Sequence, residues 1–512
     1  MFTSPPRFGS AQFGFFNNFN GLWTGTPTVN YTFANGTEGV WTTRALFNRR
    51  AWSYTSGEEL FNQFCLPSPE TSSSESATPS PSEPALAPAQ TNGPQFYPRP
   101  VMHDPYNQVA GFYLNGTYED TAVLFVPTFT ASGEDPISGL ELPDNQTTQF
   151  GRVAADFLLQ AKADNKTKLI LDFSGNGGGT TLVGFNLFKI LFPQTNIYSA
   201  NRLRDHEFSR LLMKAFDTWA EDESVTDNFF LHFGWAGQVS PTQDKLNWSS
   251  YLDFTGPQSS NLTTPTAFVN FTAAWSEELS VEGYNQSTTF ATPPFAAEDI
   301  LIVTDGACAS TCSIVVELLT NVVGVNKTLV FGGRPSPSNG RPEPMQLVGG
   351  TRGSEQYDWS RLADVANETL YYVQGRSSDS KPTLTPDEIS HYKDLMPIFP
   401  DEFPLNFRGG SLNLRNGYSK DSDIPLQFVN DPAKCRLYYT RANILEPATT
   451  WTDAADAIWG SKGCVAVDET AQGPKQSNGS IGGGEQNGTV SLGARLSTLL
   501  VAMVISIFLS LL

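Results

Sequence analysis

Positive charge and histidine are scarce in this chain of 512 residues. It carries 32 lysines and arginines against 52 aspartates and glutamates, which leaves a net charge of −20 at pH 7. Electrostatic binding of nucleic acid needs a basic surface, so we predict no nucleic-acid partner. Histidine, a frequent general base in enzymes, occurs four times. The length is sufficient for a large hydrophobic core.

Cysteine is also rare, and its five copies are an odd number, which fits an oxidising compartment with one thiol left over. Cys435 and Cys464 flank a compact C-terminal segment, and we predict a disulfide between them. Cys308 and Cys312 offer a possible metal pair, but a lone Cys-x-x-x-Cys without nearby His or Cys does not match zinc-site spacing. We therefore predict no metal site.

An export signal is missing at the N-terminus, whereas the C-terminus is strongly apolar. Met1 opens the run MFTSPPRFGSAQFGFF, which has no basic region, no continuous apolar stretch and no small-residue cleavage site. Residues 471–495 form a polar spacer and 496–512 a hydrophobic tail, and this pattern matches a GPI-anchor signal better than a membrane span. Both alternatives require the secretory pathway, so we expect the natural N-terminus to precede Met1.

Glycosylation motifs agree with an extracellular or cell-surface location, with membrane attachment through the C-terminus. Thirteen Asn-X-Ser/Thr sequons occur, at Asn30, Asn35, Asn115, Asn145, Asn165, Asn247, Asn261, Asn270, Asn285, Asn326, Asn367, Asn478 and Asn487. We predict glycosylation in particular at Asn115, Asn247, Asn261, Asn270 and Asn285.

The organisation of the chain changes near residue 97. Residues 1–65 show short strands and turns, and 66–97 are a linker rich in Pro and Ser that cannot form a core. From there strands alternate with helices, which predicts an α/β fold with a mostly parallel sheet. The clearest elements are strands at 122–126, 168–173, 300–303 and 328–331 and helices at 147–163, 180–191 and from 311 onwards.

Ser310 lies where the strand at 300–303 turns into a helix. The free N–H groups and the positive dipole end of a helix N-terminus favour a developing oxyanion, so Ser310 is a candidate nucleophile. The alternative is that Ser310 or Thr311 merely caps the helix. Ser310 has the spacing of a G-x-S-x-G nucleophile elbow, but Cys308 and Cys312 replace both glycines, which argues against the α/β-hydrolase fold.

The glycine run Ser-Gly-Asn-Gly-Gly-Gly at 174–179 follows a predicted strand. It does not match a dinucleotide fingerprint, because Thr180 stands where the third small residue belongs, and it lacks the Lys of a phosphate-binding P-loop. Consecutive glycines expose backbone N–H groups, so an oxyanion loop and a plain turn both remain possible.

Four motifs follow one another along the chain: GNGGG after an LILD strand, TDG-x-C-x-ST-C at a strand-to-helix turn, VFGGRP and PLQFVNDPAKCRLYYT. In this order they resemble the motifs of the tail-specific (C-terminal-processing) serine proteases. The resemblance is strongest to the secreted fungal branch related to chlamydial protease-like activity factor. The resemblance implies a crotonase-like (ββα spiral) α/β protease core over 98–470, and residues 1–65 resemble part of a PDZ-like domain. It implies peptide or protein substrates, no cofactor, Ser310 as the catalytic nucleophile, and an oxyanion hole formed by Gly177, Gly178 and Thr311.

The base of this family has no counterpart in the sequence. The stretch GGRPSPSNGRPEPMQ after the serine has arginines but no lysine, and the His-Asp-Gly-His-like motif of the related branch is absent. Four histidines remain as substitutes, with His103 the most suitable: His103, His206, His232 and His391. Candidates for an orienting acid are Asp431, Asp421 and Asp423. We expect the chain to begin after the base, and so to react several orders of magnitude more slowly than a version extended at its N-terminus.

The sequence therefore predicts a secreted or cell-surface serine endopeptidase that forms an acyl-enzyme on Ser310. The alternative is a non-catalytic surface or binding protein that retains the protease fold. An α/β-hydrolase esterase is disfavoured by the cysteines on either side of Ser310.

Overall fold

The computed structural model describes residues 28–32, 36–42, 56–64, 97–130, 146–219, 238–239, 248, 251–255, 263–269, 271, 281–284, 286–333, 343–349, 354–375, 384–396 and 411–467. All of them lie in the first of two compact units, Met1–Pro474, while the second, Lys475–Leu512, falls outside the described residues.

Strands and helices alternate along the described part of the chain. The strands are β1 (Thr28–Thr32), β2 (Glu38–Thr42), β3 (Met102–His103), β4 (Ala110–Tyr113), β5 (Thr121–Phe125), β6 (Lys168–Asp172), β7 (Asn201–Leu203), β8 (Gln238–Val239), β9 (Phe268–Val269), β10 (Ile300–Thr304), β11 (Lys327–Phe331), β12 (Ser354–Asp358), β13 (Ser411–Gly417), β14 (Cys435–Leu437) and β15 (Ala466–Val467). The helices are α1 (Gly57–Phe64), α2 (Gln146–Ala163), α3 (Thr181–Leu191), α4 (Glu207–Trp219), α5 (Tyr251–Thr255), α6 (Thr311–Glu317), α7 (Trp359–Gly375), α8 (Pro386–Leu395), α9 (Arg441–Leu445) and α10 (Thr449–Trp459).

An eight-stranded sheet forms the centre of the fold, in the order β15-β14-β11-β10-β6-β5-β4-β3. Its five inner strands, from β14 to β5, are parallel to one another, and the strands at both edges pair in the antiparallel sense. The prediction of an α/β fold with a mostly parallel sheet is therefore confirmed.

The inner strands are mostly apolar because both faces of the sheet are covered. Leu169, Leu171 and Ile302 point to one face, where α2, α3 and α6 pack, whereas Ile170 and Leu301 point to the other face. On that second face α10 contributes the buried residues Trp451, Ala454 and Ala455. The result is a three-layer core of helices, sheet and helix.

Smaller elements surround this core. A three-stranded sheet has the order β12-β13-β7, and two-stranded antiparallel sheets are formed by β1 with β2 and by β8 with β9. Helices α4, α7 and α8 share a separate apolar cluster that includes Leu212, Val365 and Tyr392.

Seven predicted elements are confirmed to within a residue or two: β5, α2, β6, α3, β10, the start of α6 and β11. The crotonase-like spiral, the PDZ-like character of 1–65 and the domain boundaries stay predictions. Most of the linker at 66–97, the spacer at 471–495 and the tail at 496–512 lie outside the described residues. Within the described ranges, no helix combines the length and the apolar character needed to cross a lipid bilayer.

Candidate active site

Two loops meet at the carboxyl end of the central sheet because the strands before them are neighbours. Strand β6 leads into the glycine loop (Ser174–Thr180), and β10 leads into the serine turn (Asp305–Ser310). The two strands are parallel and in register, with Val303 opposite Asp172. Adjacent strands lie about 4.8 Å apart, so the two loops start side by side although about 130 residues separate them in sequence.

Ser310 has a strained backbone conformation, with φ 50° and ψ −124°. Only two other described non-glycine residues have positive φ, Asn107 and Asn165. Such outliers cluster at functional sites, and a sharp strand-to-helix turn is how a nucleophilic serine is exposed in hydrolase elbows.

The Ser310 side chain does not cap α6, so the capping alternative is wrong for this residue. Within the described part of the chain its Oγ atom makes no hydrogen bond. The hydroxyl of Thr311 is used elsewhere, since it donates to the Gly179 carbonyl oxygen at 2.5 Å. The Ser310 hydroxyl is therefore left available for a substrate or a base.

The glycine loop lies directly against the serine turn. A Cβ atom placed on Gly178, whose φ is +105°, would lie 2.6 Å from Ser310 Cβ and 2.8 Å from the Ala309 carbonyl oxygen. A Cβ atom on Gly177 would meet nothing within 4 Å. Gly178 is therefore required for the close approach of the two loops, and Gly177 borders open space.

The backbone N–H groups of the predicted oxyanion hole differ in their use. The Gly178 N–H donates to the Asn176 side-chain oxygen at 2.8 Å, and the Asn176 amide donates in turn to the Val126 carbonyl at 2.8 Å. No described residue accepts a hydrogen bond from the N–H of Gly177 or of Thr311. These two groups are the available donors, whereas the Gly178 N–H is already occupied.

The described residues contain two disulfides, of which one was predicted and the other was not. Cys435 and Cys464 are bonded, as predicted. Cys308 and Cys312, considered as a metal pair, are bonded to each other instead. This second disulfide spans Ser310, and both of its cysteines are fully buried.

Two buried carboxylates lie under the loops, and sequence reasoning missed both. Asp172 accepts hydrogen bonds from Ser174 N–H at 2.8 Å and from the Trp451 indole at 2.6 Å. Burial raises the pKa of Asp172, and these hydrogen bonds act in the opposite direction. Asp305 accepts from the N–H groups of Gly175 and Ala307. The available signal was an aspartate directly at the end of each apolar strand.

No described histidine forms a hydrogen bond with Ser310. His103 lies on β3, four strands from β10, which corresponds to about 19 Å at the usual strand spacing. His206 is exposed at the start of α4, where its ring accepts from Phe208 N–H, and His391 pairs with Glu207 at 2.8 Å. His232 lies outside the described residues.

The three candidate acids lie in different surroundings. Asp423 forms an exposed ion pair with Arg202 at 2.6 Å, and Asp421 is exposed. Asp431 is half-buried, and its carbonyl accepts from Leu347 N–H. The Leu347 carbonyl in turn accepts from the Thr304 hydroxyl beneath the serine turn. Asp431 is thus connected to the site through its backbone carbonyl, and neither of these two bonds involves its carboxylate.

Every described sequon asparagine is exposed to solvent. These residues are Asn30, Asn115, Asn165, Asn326 and Asn367. Of the five predicted glycosylation sites, Asn115 is described, whereas Asn247, Asn261, Asn270 and Asn285 lie outside the described residues.

Comparison with known proteins gives the family. No family model matches the chain. The Peptidase S41 family protein ustP of Aspergillus flavus is 36% identical over 485 residues, which cover 91% of this chain and 96% of that protein. The Peptidase S41 family protein phomP1' of Diaporthe leptostromiformis is 32% identical over 502 residues, covering 90% of this chain and 72% of that protein.

Solved structures show a more distant likeness. The crystal structure of mature CPAF matches 86% of this chain and 68% of its own, with a TM-score of 0.38 and 12% identity. Mature CPAF complexed with lactacystin matches 83% of this chain and 66% of its own, with a TM-score of 0.37 and 11% identity. The sequence identity to ustP over nearly all of both proteins confirms the predicted resemblance to the tail-specific proteases: the chain belongs to the peptidase S41 family.

Proposed function

We propose that the chain is a serine endopeptidase that cleaves peptide or protein substrates through an acyl-enzyme on Ser310. The observation that carries this proposal is the strained, uncapped Ser310 at the strand-to-helix turn, with the glycine loop against its Cβ atom. Membership of the peptidase S41 family supports the same reaction class.

In the proposed reaction the Ser310 Oγ atom attacks the scissile carbonyl carbon, and its proton passes to a base. The carbonyl oxygen then becomes an oxyanion that accepts hydrogen bonds from Gly177 N–H and Thr311 N–H. Collapse breaks the C–N bond, the proton leaves with the amine, and water later hydrolyses the Ser310 ester. Gly178 contributes by its lack of a side chain, because its own N–H is held by Asn176.

We propose that no described histidine acts as the base, because none of these bonds to Ser310, and that the site is open to a base from solution, since Gly177 borders open space. A soluble base should then accelerate the reaction. We expect imidazole in the buffer to raise the rate of casein cleavage by the full chain about tenfold or more, since general bases contribute about 10²–10⁴-fold to such steps.

The same assay tests the nucleophile. Ser310→Ala should lose about 10³-fold or more of the cleavage rate with or without imidazole, because the proposed acyl-enzyme forms on the Ser310 Oγ atom. Cleavage that persists in Ser310→Ala would refute the assignment. If the wild type shows no cleavage that depends on Ser310 in either buffer, the second candidate function is favoured, a binding protein that retains the fold. The specific observation behind that candidate is the lack of a described histidine at Ser310.

We also propose that the chain is a secreted or cell-surface glycoprotein, attached to the membrane through its C-terminal tail. The exposure of all five described sequon asparagines and the two disulfides support passage through the secretory pathway. Expressed behind a secretion signal in a eukaryotic host, the protein should lose apparent mass on treatment with an N-glycosidase. Release from cells by a phosphatidylinositol-specific phospholipase C would indicate the GPI anchor, and an unchanged mass after the N-glycosidase would refute glycosylation.

A further inference from the structure

One side chain joins the two active-site loops at their bases. Asp305 is the first residue after β10 and is fully buried. Its two carboxylate oxygens accept hydrogen bonds from different loops: Oδ2 from Gly175 N–H at 2.8 Å and Oδ1 from Ala307 N–H at 2.9 Å. Gly175 belongs to the glycine loop and Ala307 to the serine turn, so one carboxylate fixes both.

Two other hydrogen bonds between the glycine loop and the serine turn region can be compared with the Asp305 bonds. The Ala309 N–H donates to the Asn176 carbonyl at 3.3 Å, and the Thr311 hydroxyl donates to the Gly179 carbonyl at 2.5 Å. Neither of these bonds has an ionisable acceptor, and both lie further along the loops than Gly175 and Ala307. Hydrogen bonds to a carboxylate are stronger than those to a neutral acceptor, and burial removes water as a competitor.

The position of the link matters for catalysis. Gly177 follows Gly175 by two residues, and Thr311 follows Ala307 by four. Each proposed oxyanion donor therefore lies within four residues of an N–H group that donates to the Asp305 carboxylate. Two donors must converge on one oxygen within a few tenths of an ångström, and a misplacement of about 1 Å can cost about 10²-fold in rate.

We propose that Asp305 is a positioning residue, whose carboxylate sets the Gly177 and Thr311 N–H groups in the relative positions that the oxyanion requires. It does not touch the substrate and does not take part in proton transfer. This inference rests on the proposed role of Ser310 as nucleophile.

A matched control exists elsewhere in the chain. Asp104 is also fully buried and also accepts backbone N–H bonds, among them those from Tyr106 at 3.1 Å and from Val109 at 2.8 Å. Both bonds lie within one turn beside the edge strand β3, remote from the serine turn. Burial raises the pKa of Asp104 to about 6, so measurements at pH 8 keep this carboxylate ionised. Loss of either aspartate should destabilise the fold, but only Asp305 should affect the chemistry.

The test measures the rate at which a fluorophosphonate modifies Ser310 in the folded protein at pH 8. The modified Ser310 peptide is quantified by mass spectrometry at time points over several hours. We expect Asp305→Ala to lower kinact about 10²-fold and Asp305→Asn, which keeps one acceptor oxygen, about tenfold, with KI unchanged. Asp104→Ala should stay within about threefold of the wild type although its melting temperature falls. A kinact for Asp305→Ala as high as that of Asp104→Ala would overturn the inference.

Hydrogen–deuterium exchange supplies a readout that needs no activity. In Asp305→Ala, peptides covering 173–180 and 304–311 should both exchange faster, whereas Asp104→Ala should leave both unchanged. Faster exchange in the serine turn alone would overturn the inference, since Asp305 would then not hold the glycine loop. If the wild type is not modified at Ser310, the proposed function fails, and exchange still decides whether Asp305 joins the loops.

Discussion

The substitution Gly178→Ala is expected to abolish nearly all reactivity of Ser310 while leaving the protein folded. The new Cβ atom would lie 2.6 Å from Ser310 Cβ, 2.8 Å from the Ala309 oxygen and 3.0 Å from the Thr311 nitrogen. Two of these three atoms belong to the backbone, so no side-chain rotation relieves the overlap. The φ of +105° at Gly178 is also unfavourable for any residue with a Cβ atom.

The serine turn must therefore move, and the Thr311 N–H moves with it. We expect kinact for the fluorophosphonate to fall about 10³-fold in Gly178→Ala, in the range found when oxyanion donors are removed. The melting temperature and the far-UV circular dichroism spectrum should show that the central sheet persists.

Gly177→Ala is the matched control for this variant. A Cβ atom on Gly177 meets nothing within 4 Å, and alanine keeps the N–H group that is proposed as an oxyanion donor. Its kinact should remain within about threefold of the wild type. Equal losses in both variants would mean that the contact between Gly178 and Ser310 does not govern reactivity.

The Cys308–Cys312 disulfide is expected to matter more for reactivity than for stability. It brackets Ser310 at a sequence separation of 4, and positive φ at a non-glycine residue costs about 1–3 kcal/mol. Without the cross-link the turn can relax to ordinary backbone angles. We expect Cys308→Ala/Cys312→Ala to lower kinact about 10²-fold.

The Cys435–Cys464 disulfide provides the opposite case. It closes a sequence separation of 29 and joins β14 to the segment before β15, two strands from β10. Longer loops constrain the unfolded chain more, so removing this bond should reduce stability by about 2–5 kcal/mol and the melting temperature more than removing the short one. The kinact of Cys435→Ala/Cys464→Ala should change little. If the two double variants lose reactivity equally, a general loss of stability explains both effects.

Local patterns in the sequence were sufficient to locate the two loops. Apolar runs bounded by turn residues gave β6 and β10, and helical periodicity gave α3 and α6, because burial on both faces of a parallel sheet and on one face of a helix leaves direct marks in the sequence. Glycines and a serine at the ends of adjacent strands then identified Gly177, Gly178 and Ser310 as candidates.

Long-range partners could not be obtained in this way. The link from Asp305 to Gly175 spans 130 residues, and that from Trp451 to Asp172 spans 279. Which aspartate lies under which loop depends on strand order, and strand order has no local signature. The same reason left the occupation of the Gly178 N–H by Asn176 unforeseen.

The Cys308–Cys312 bond was missed for a different reason. A spacing of four residues suits several kinds of site, and the backbone around Ser310 brings the two Cα atoms to 5.3 Å, within the range for a disulfide. The interpretation as a possible metal pair was based on spacing alone, and sequence spacing does not determine the distance between the two Cα atoms.

Mass-spectrometric mapping of the fluorophosphonate adduct on the full chain decides whether Ser310 is the nucleophile. Displacement of fluoride should leave the phosphonyl group on the Oγ of Ser310, and prior heat denaturation should prevent it, since the folded loops create the reactivity. Ser310→Ala should then carry no adduct at any serine in the folded protein. An adduct at another residue, or labelling of Ser310 that is equally fast in the denatured chain, would contradict the assignment.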